Sequence, residues 1–69
     1  MSGAAAVVRL SNDIARQFET VPPEQGAALI AEHLVAFWDP RMLTELRAAA
    51  ADRAEVLDPL VLSALTKLT

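Results

Sequence analysis

The sequence predicts an all-α fold, a small bundle in which two longer N-terminal helices are followed by two shorter helices that each begin at an Asp-Pro pair. Apolar residues recur at helical spacing along most of the chain, and no stretch alternates polar and apolar residues as a strand would. Hydrophobic residues make up 54% of the sequence, and many of them are Ala, a strong helix former. The pairs Asp39-Pro40 and Asp58-Pro59 supply a preferred N-cap followed by a preferred first helical residue.

The length of 69 residues limits the chain to one helical domain, residues 1–69. A domain this small buries only about 60% of the surface that its unfolded chain exposes. The chain has no Cys, so neither a disulfide nor a Cys-based metal site can stabilise it. Helix packing or a partner protein must therefore complete the fold.

Charge and hydropathy exclude two classes of partner. The net charge is −3 and the six Lys and Arg residues are scattered, whereas nucleic-acid binders carry a basic patch. The apolar runs are short compared with the roughly 20 residues that cross a bilayer. The N-terminus also lacks the basic region of a secretory signal. We therefore expect a cytoplasmic protein that binds neither nucleic acid nor membrane.

The first helix is predicted from Ala4 to Val21, because Pro22-Pro23 ends it. At 100° per residue its apolar side chains lie within an arc of about 80°. The predicted inward residues are Val7, Leu10, Ile14, Phe18 and Val21. The opposite side carries a solvated stripe of Arg9, Asp13, Arg16 and Thr20. This helix is therefore amphipathic.

The second helix is predicted from Pro23 to Trp38. One face carries Ala27, Ile30, Leu34, Phe37 and Trp38, while Leu29, Val35 and Ala36 fall on other sides. A helix that is apolar nearly all round is normally buried. We expect this helix to be central in the bundle or covered by another subunit.

The third and fourth helices are predicted from Pro40 to Ala51 and from Pro59 to Leu68. The segment Asp52 to Leu57 is a charged connector that either joins them or extends the third helix. The expected inward residues of the third helix are Met42, Leu43, Leu46, Ala49 and Ala50. Those of the fourth helix are Val61, Leu62, Ala64, Leu65 and Leu68.

No catalytic, cofactor or metal site is predicted. His33 is the only candidate general base, and the chain has no Cys or Tyr and no Ser or Thr in a triad spacing. The neighbouring Glu32 lies about 100° away on the helix, whereas ligand pairs need spacings of three or four residues. Two Gly residues do not make a phosphate loop. His33 is therefore interpreted as a packing residue or an interface contact.

The segment HLVAFWDPRM, from His33 to Met42, is the strongest candidate for binding a partner. Trp38 either closes the core or anchors a protein interface, where Trp, Arg and Met are enriched. Arg41 lies in the first turn of the third helix, where the helix dipole disfavours a cation. It either pairs with Asp39 or Glu45, or it reaches a carboxylate on another chain. Docking explains these residues better than catalysis does.

At this point the chain resembles the small delta subunit of soluble, NAD-dependent, molybdenum-containing formate dehydrogenases. The resemblance covers nearly the whole chain and rests on four segments. These are Arg9 to Ala15 with Phe18, His33, FWDPRM at Phe37 to Met42, and Leu57 to Val61.

The resemblance implies a non-catalytic subunit of a cytoplasmic complex that oxidises formate and passes electrons to NAD. The molybdopterin, iron–sulfur and flavin centres would then belong to larger subunits, and this chain would hold no cofactor. The FWDPRM residues would form a docking surface for the catalytic alpha subunit and would stabilise it or help it mature. With His33, the expected interface is His33, Phe37, Trp38, Asp39, Pro40, Arg41 and Met42. The alternative is a free-standing helical module or regulator that buries its apolar surface in a homodimer.

Overall fold

The computed structural model describes residues 3–68, in which every regular element is a helix. The four α-helices are α1 (Gly3–Arg16), α2 (Pro23–Phe37), α3 (Pro40–Asp52) and α4 (Pro59–Thr66). They are 14, 15, 13 and 8 residues long, so α3 is nearly as long as α1 and α4 alone is markedly shorter. The predicted all-α bundle is confirmed.

The predicted helix starts are confirmed together with their chemistry. The Asp39 carboxylate accepts a hydrogen bond from the Met42 amide at 2.9 Å, and the Asp58 carboxylate accepts one from the Leu60 amide at 2.8 Å. A proline follows each Asp, and Pro23 opens α2 in the same way. Each carboxylate thus satisfies an amide that has no partner within its own helix.

The first helix ends at Arg16, so the prediction that it reaches Val21 is wrong. The amides of Gln17 and Phe18 each bond the carbonyl three residues back at 3.0 Å, which is a tighter turn than an α-helix. The residue before a proline avoids helical geometry. Pro22 restricts only Val21 directly, but the three-residue hydrogen bonds begin at Gln17, so the α-helix ends several residues before the proline.

The other boundaries differ less. The second helix ends at Phe37 rather than Trp38, and the last ends at Thr66 rather than Leu68, differences within the usual uncertainty of helix ends. The charged connector does not extend α3. It forms a short 3₁₀ helix at Ala54–Val56.

The helices pack as two pairs, α1 with α3 and α2 with α4. Buried residues from all four helices and the connector form one hydrophobic cluster. Its members are Ala15, Ile30, Ala31, Leu34, Leu46, Leu57, Val61, Ala64 and Leu65. The expected inward faces of α3 and α4 are confirmed, since their predicted residues are buried or half-buried.

The inward face of α1 differs from the prediction. Leu10 was expected to face inward but is 45% exposed, whereas Val7, Ser11 and Ala15 are buried. The buried side is thus rotated by about 60° around the helix axis. Ser11 tolerates burial because its hydroxyl donates to the Val8 carbonyl at 2.9 Å. The solvated stripe on the opposite side is confirmed, with an ion pair of 3.6 Å between Arg16 and Asp13.

A long-range contact fixes α1 against the connector. The side-chain amide of Asn12 donates to the Val56 carbonyl at 2.9 Å, and its carbonyl oxygen accepts from the Asp58 amide at 2.8 Å. The same Asp58 caps α4. One side chain therefore sets where α4 begins relative to α1.

The second helix buries only one of its faces. The buried residues are Gly26, Ala27, Ile30, Ala31 and Leu34. Phe37, which was placed on that face, is 75% exposed, and Val35 is 65% exposed. A helical wheel assigns a side to Phe37, but it does not show that neighbouring helices leave the end of α2 uncovered.

Within residues 3–68, no helix combines the length and hydrophobicity that crossing a bilayer requires.

Candidate docking surface

The candidate site lies at the corner between α2 and α3, which only Trp38 and Asp39 connect. The Trp38 amide donates to the Leu34 carbonyl at 2.9 Å and so closes α2. The Trp38 backbone is then extended, with φ −98° and ψ 137°, and the Asp39 cap starts α3. The direction of the corner is therefore fixed by backbone and cap hydrogen bonds.

Trp38 supports the corner from the core side. Its side chain is half-buried and packs against the hydrophobic cluster. Of the two alternatives that the sequence leaves open, contact with the core is the one the structure shows. The indole retains an exposed part at the edge of the corner.

Phe37 and His33 form an aromatic pair at the end of α2. Their ring centroids are 4.9 Å apart and the ring planes are inclined by 43°. His33 is half-buried, whereas Phe37 exposes three quarters of its surface. Since aromatic residues are enriched in protein interfaces, the pair is well suited to contact a second protein.

Arg41 is exposed and forms no ion pair with any residue in the described range 3–68. Asp39, the nearest expected partner in sequence, is engaged as the cap of α3. The alternative in which Arg41 pairs with Asp39 or Glu45 is thus not observed. Its guanidinium remains available for bidentate binding of a carboxylate on another molecule.

The remaining predicted residues shape the start of α3. Pro40 is exposed, and its carbonyl accepts a hydrogen bond from the Thr44 hydroxyl at 2.9 Å. Met42 is half-buried and donates its amide to the cap. Of the seven predicted site residues, the corner exposes Phe37, Asp39, Pro40 and Arg41, and it half-buries His33, Trp38 and Met42.

A second surface feature, which sequence reasoning missed, lies at the other end of α3. A groove of about 680 Å³ lies on the surface between α1 and the C-terminal half of α3. Its apolar lining is Ala4, Ala5, Val8, Ala48, Ala49 and Val56. Asp52 and Arg53 complete the lining with charged side chains. The available signal was the pair of Ala-rich segments, which indicates helix but does not reveal that the two segments face one groove.

At the corner and the connector, the side chains of Asn12, Asp39, Thr44 and Asp58 are engaged in structural hydrogen bonds. Every buried side-chain nitrogen and oxygen of residues 3–68 has a hydrogen-bond partner. In the same range, no three His, Asp or Glu side chains are grouped so as to hold a metal ion. The chemistry that the corner offers is recognition, through one exposed aromatic ring and one unpaired guanidinium.

Comparison with known families supplies a context for this corner. Residues 6–65 match the model of a family described as NADH-dependent formate dehydrogenase delta subunit FdsD. The matched range includes the whole corner, both Asp-Pro starts and Asn12. No curated protein and no solved structure matches the chain.

Proposed function

The chain belongs to the FdsD family of NADH-dependent formate dehydrogenase delta subunits, and we propose that it is a non-catalytic accessory subunit that docks on the catalytic alpha subunit. Bound there, it stabilises the catalytic subunit or helps it mature. The complex operates in the cytoplasm, and its redox centres belong to the larger subunits. Family membership supports a place in a formate dehydrogenase, and the corner between α2 and α3 supports the mode of docking.

The observation that carries the docking proposal is that Phe37, at the end of α2, is exposed and that Arg41, in the first turn of α3, has no ion-pair partner within residues 3–68. Removing a large apolar ring from water favours association, at about 25 cal/mol for each Å² buried. Buried aromatic and Arg side chains also dominate the binding energy of many interfaces. Because the corner is held by the cap and by Trp38, little order has to be gained on binding.

The proposal is tested by co-expressing the full chain with the catalytic subunit and measuring how much of the chain is retained on the tagged catalytic subunit. Phe37→Ser and Arg41→Glu are each expected to lower the affinity at least about tenfold, as loss of an interface anchor does. Arg41→Glu is informative because an acidic residue suits the first turn of α3. The isolated variant should therefore stay folded.

Arg47→Glu is the matched control, since Arg47 is also exposed, lies on α3 and forms no ion pair within residues 3–68. It should be retained like the wild type. Equal retention of all three variants would show that the corner is not the interface. A chain that forms a stable dimer and is never retained by the catalytic subunit would instead support the free-standing module.

A further inference from the structure

The charges of α3 are placed against its dipole at both ends. Arg41 lies in the first turn, where an anion is preferred, and Asp52 is the last residue, where a cation is preferred. Both side chains are exposed, and neither forms an ion pair within residues 3–68. The stability of α3 therefore does not explain either charge.

The two charges lie on the same side of α3. They are separated by 11 residues, which corresponds to about 20° around the axis and about 16 Å along it. Glu45 and Ala48 lie between them at helical spacing. We call the surface formed by Arg41, Glu45, Ala48 and Asp52 the α3 flank.

The α3 flank connects the two surface features described above. Its N-terminal end carries the corner with the exposed ring of Phe37. At its C-terminal end, Ala48 and Asp52 line the groove of about 680 Å³ between α1 and α3. One end of the flank therefore presents an apolar side chain and a cation. The other end presents an apolar recess lined by Asp52 and Arg53, of which Arg53 pairs with Glu55 at 3.9 Å and Asp52 has no ion-pair partner within residues 3–68.

We infer that the isolated chain binds a second copy of itself through the α3 flank, with the two α3 helices antiparallel. A two-fold axis near the middle of the flank brings Arg41 of each copy to Asp52 of the other. The same rotation brings the Phe37 corner of each copy to the groove of the other. Because the contact is isologous, each complementary pair occurs twice.

The order of the charges favours a second copy as the occupant. At its two ends the flank is complementary to its own antiparallel copy, because Arg41 meets Asp52 twice, whereas a parallel copy would oppose like charges. The antiparallel contact also brings the two half-buried Glu45 carboxylates near the two-fold axis, and their repulsion offsets part of this attraction. The dimer occupies Phe37 and Arg41, so it excludes the catalytic subunit from the corner. It is a state of the chain before assembly and does not depend on the identity of the partner in the complex.

Reciprocal charge reversal tests the inference on the full-length chain by sedimentation equilibrium, from about 1 μM to about 1 mM. The wild type is expected to dimerise within this range. Arg41→Asp and Asp52→Arg each replace two attractive pairs by two repulsive ones, and each should weaken the dimer about tenfold or more. The double variant restores both pairs with their signs exchanged, and its dimer should return to within about threefold of the wild type.

The double variant distinguishes a second copy from any other binding partner. A partner whose own charges are unchanged would be repelled at both ends of a flank that carries Arg41→Asp and Asp52→Arg. Arg47→Asp makes the same change of charge on another side of α3 and should dimerise normally. Far-UV circular dichroism of every variant verifies that the helices are retained. A wild type that stays monomeric across the range, or a double variant no stronger than the single ones, would overturn the inference.

Discussion

At the scale of single residues, Asn12 joins parts of the chain that are distant in sequence. Its side chain uses both a donor and an acceptor, on groups that lie 44 and 46 residues further along the chain. Both contacts are partly buried, so water replaces them poorly. The Asn12 side chain thus holds α1 and the connector together through two hydrogen bonds.

Asn12→Ala is expected to lower the free energy of unfolding by about 1–3 kcal/mol, because the Val56 carbonyl and the Asp58 amide both lose their partner. Asn12→Asp should lose at least as much, because its carboxylate still accepts from the Asp58 amide but its second oxygen is repelled by the Val56 carbonyl oxygen. Urea denaturation followed by circular dichroism measures the difference.

Thr44→Ala serves as the control because it removes a hydrogen bond that is exposed to solvent. It should change the free energy of unfolding by less than about 0.5 kcal/mol. If Asn12→Ala and Thr44→Ala unfold at the same urea concentration, the two Asn12 hydrogen bonds contribute nothing to the free energy of unfolding.

The residues that sequence reasoning misplaced share a physical cause. Leu10 was assigned to the inward face from its hydrophobicity, but it is 45% exposed and the smaller Ser11, which was not assigned, is buried. Asn12 gave no signal, because its partners are backbone groups of a distant connector. The hydrophobic periodicity of one helix carries no information about the shape of the helices that pack against it.

At the scale of helices, the starts were predictable and so were the ends, except the end of α1. Each start depends on a local signal, such as Asp39 with Pro40, which acts within one turn. The end of α1 depends on how the chain turns toward α2, where Gly26 lies close to the previous turn. A Cβ on Gly26 would approach the Phe18 carbonyl oxygen to 3.3 Å.

The cap of α3 can be tested separately from its charge. Asp39→Ala is expected to lower the free energy of unfolding by about 1 kcal/mol, since the Met42 amide loses its acceptor. Asp39→Asn keeps a side-chain oxygen at the same position and should remain close to the wild type. Thermal unfolding of the three proteins gives the comparison, and hydrogen exchange of the Met42 amide localises the effect.

Equal losses from Asp39→Ala and Asp39→Asn would indicate that charge, rather than the hydrogen bond, stabilises this end of α3. The comparison also bears on docking. Asp39→Asn leaves the corner folded, so any loss of binding by that variant would report on the carboxylate itself.

At the scale of the whole molecule, the position of the corner between α2 and α3 was predictable and the groove was not, while the docking role of the corner stays a prediction. The corner is contiguous in sequence, so its rare residues appear together between His33 and Met42. The groove needs α1 and the end of α3 side by side, and no local pattern specifies that pairing. The exposure of Phe37 likewise follows from the arrangement of all the helices and not from its position on α2.

The small core makes the stability of the isolated chain sensitive to its central residues. A single core in a chain of this size rarely supplies more than about 3–5 kcal/mol. Leu46 of α3 is fully buried and belongs to the cluster that joins all four helices. Leu10 of α1 is the same residue type but is partly exposed.

Leu46→Ala is therefore expected to lower the free energy of unfolding by about 2–5 kcal/mol and to leave much of the isolated chain unfolded. Leu10→Ala should change it by about 0.5 kcal/mol or less. A partner that binds only the folded chain stabilises it by about 2.7 kcal/mol when the partner's concentration is 100 times the dissociation constant. An excess of the catalytic subunit should therefore refold much of the Leu46→Ala chain. Circular dichroism of the free variants and their retention on the tagged catalytic subunit measure both effects. Equal melting of the two variants would contradict the assigned core, and a folded but unretained Leu46→Ala would contradict the linkage between docking and folding.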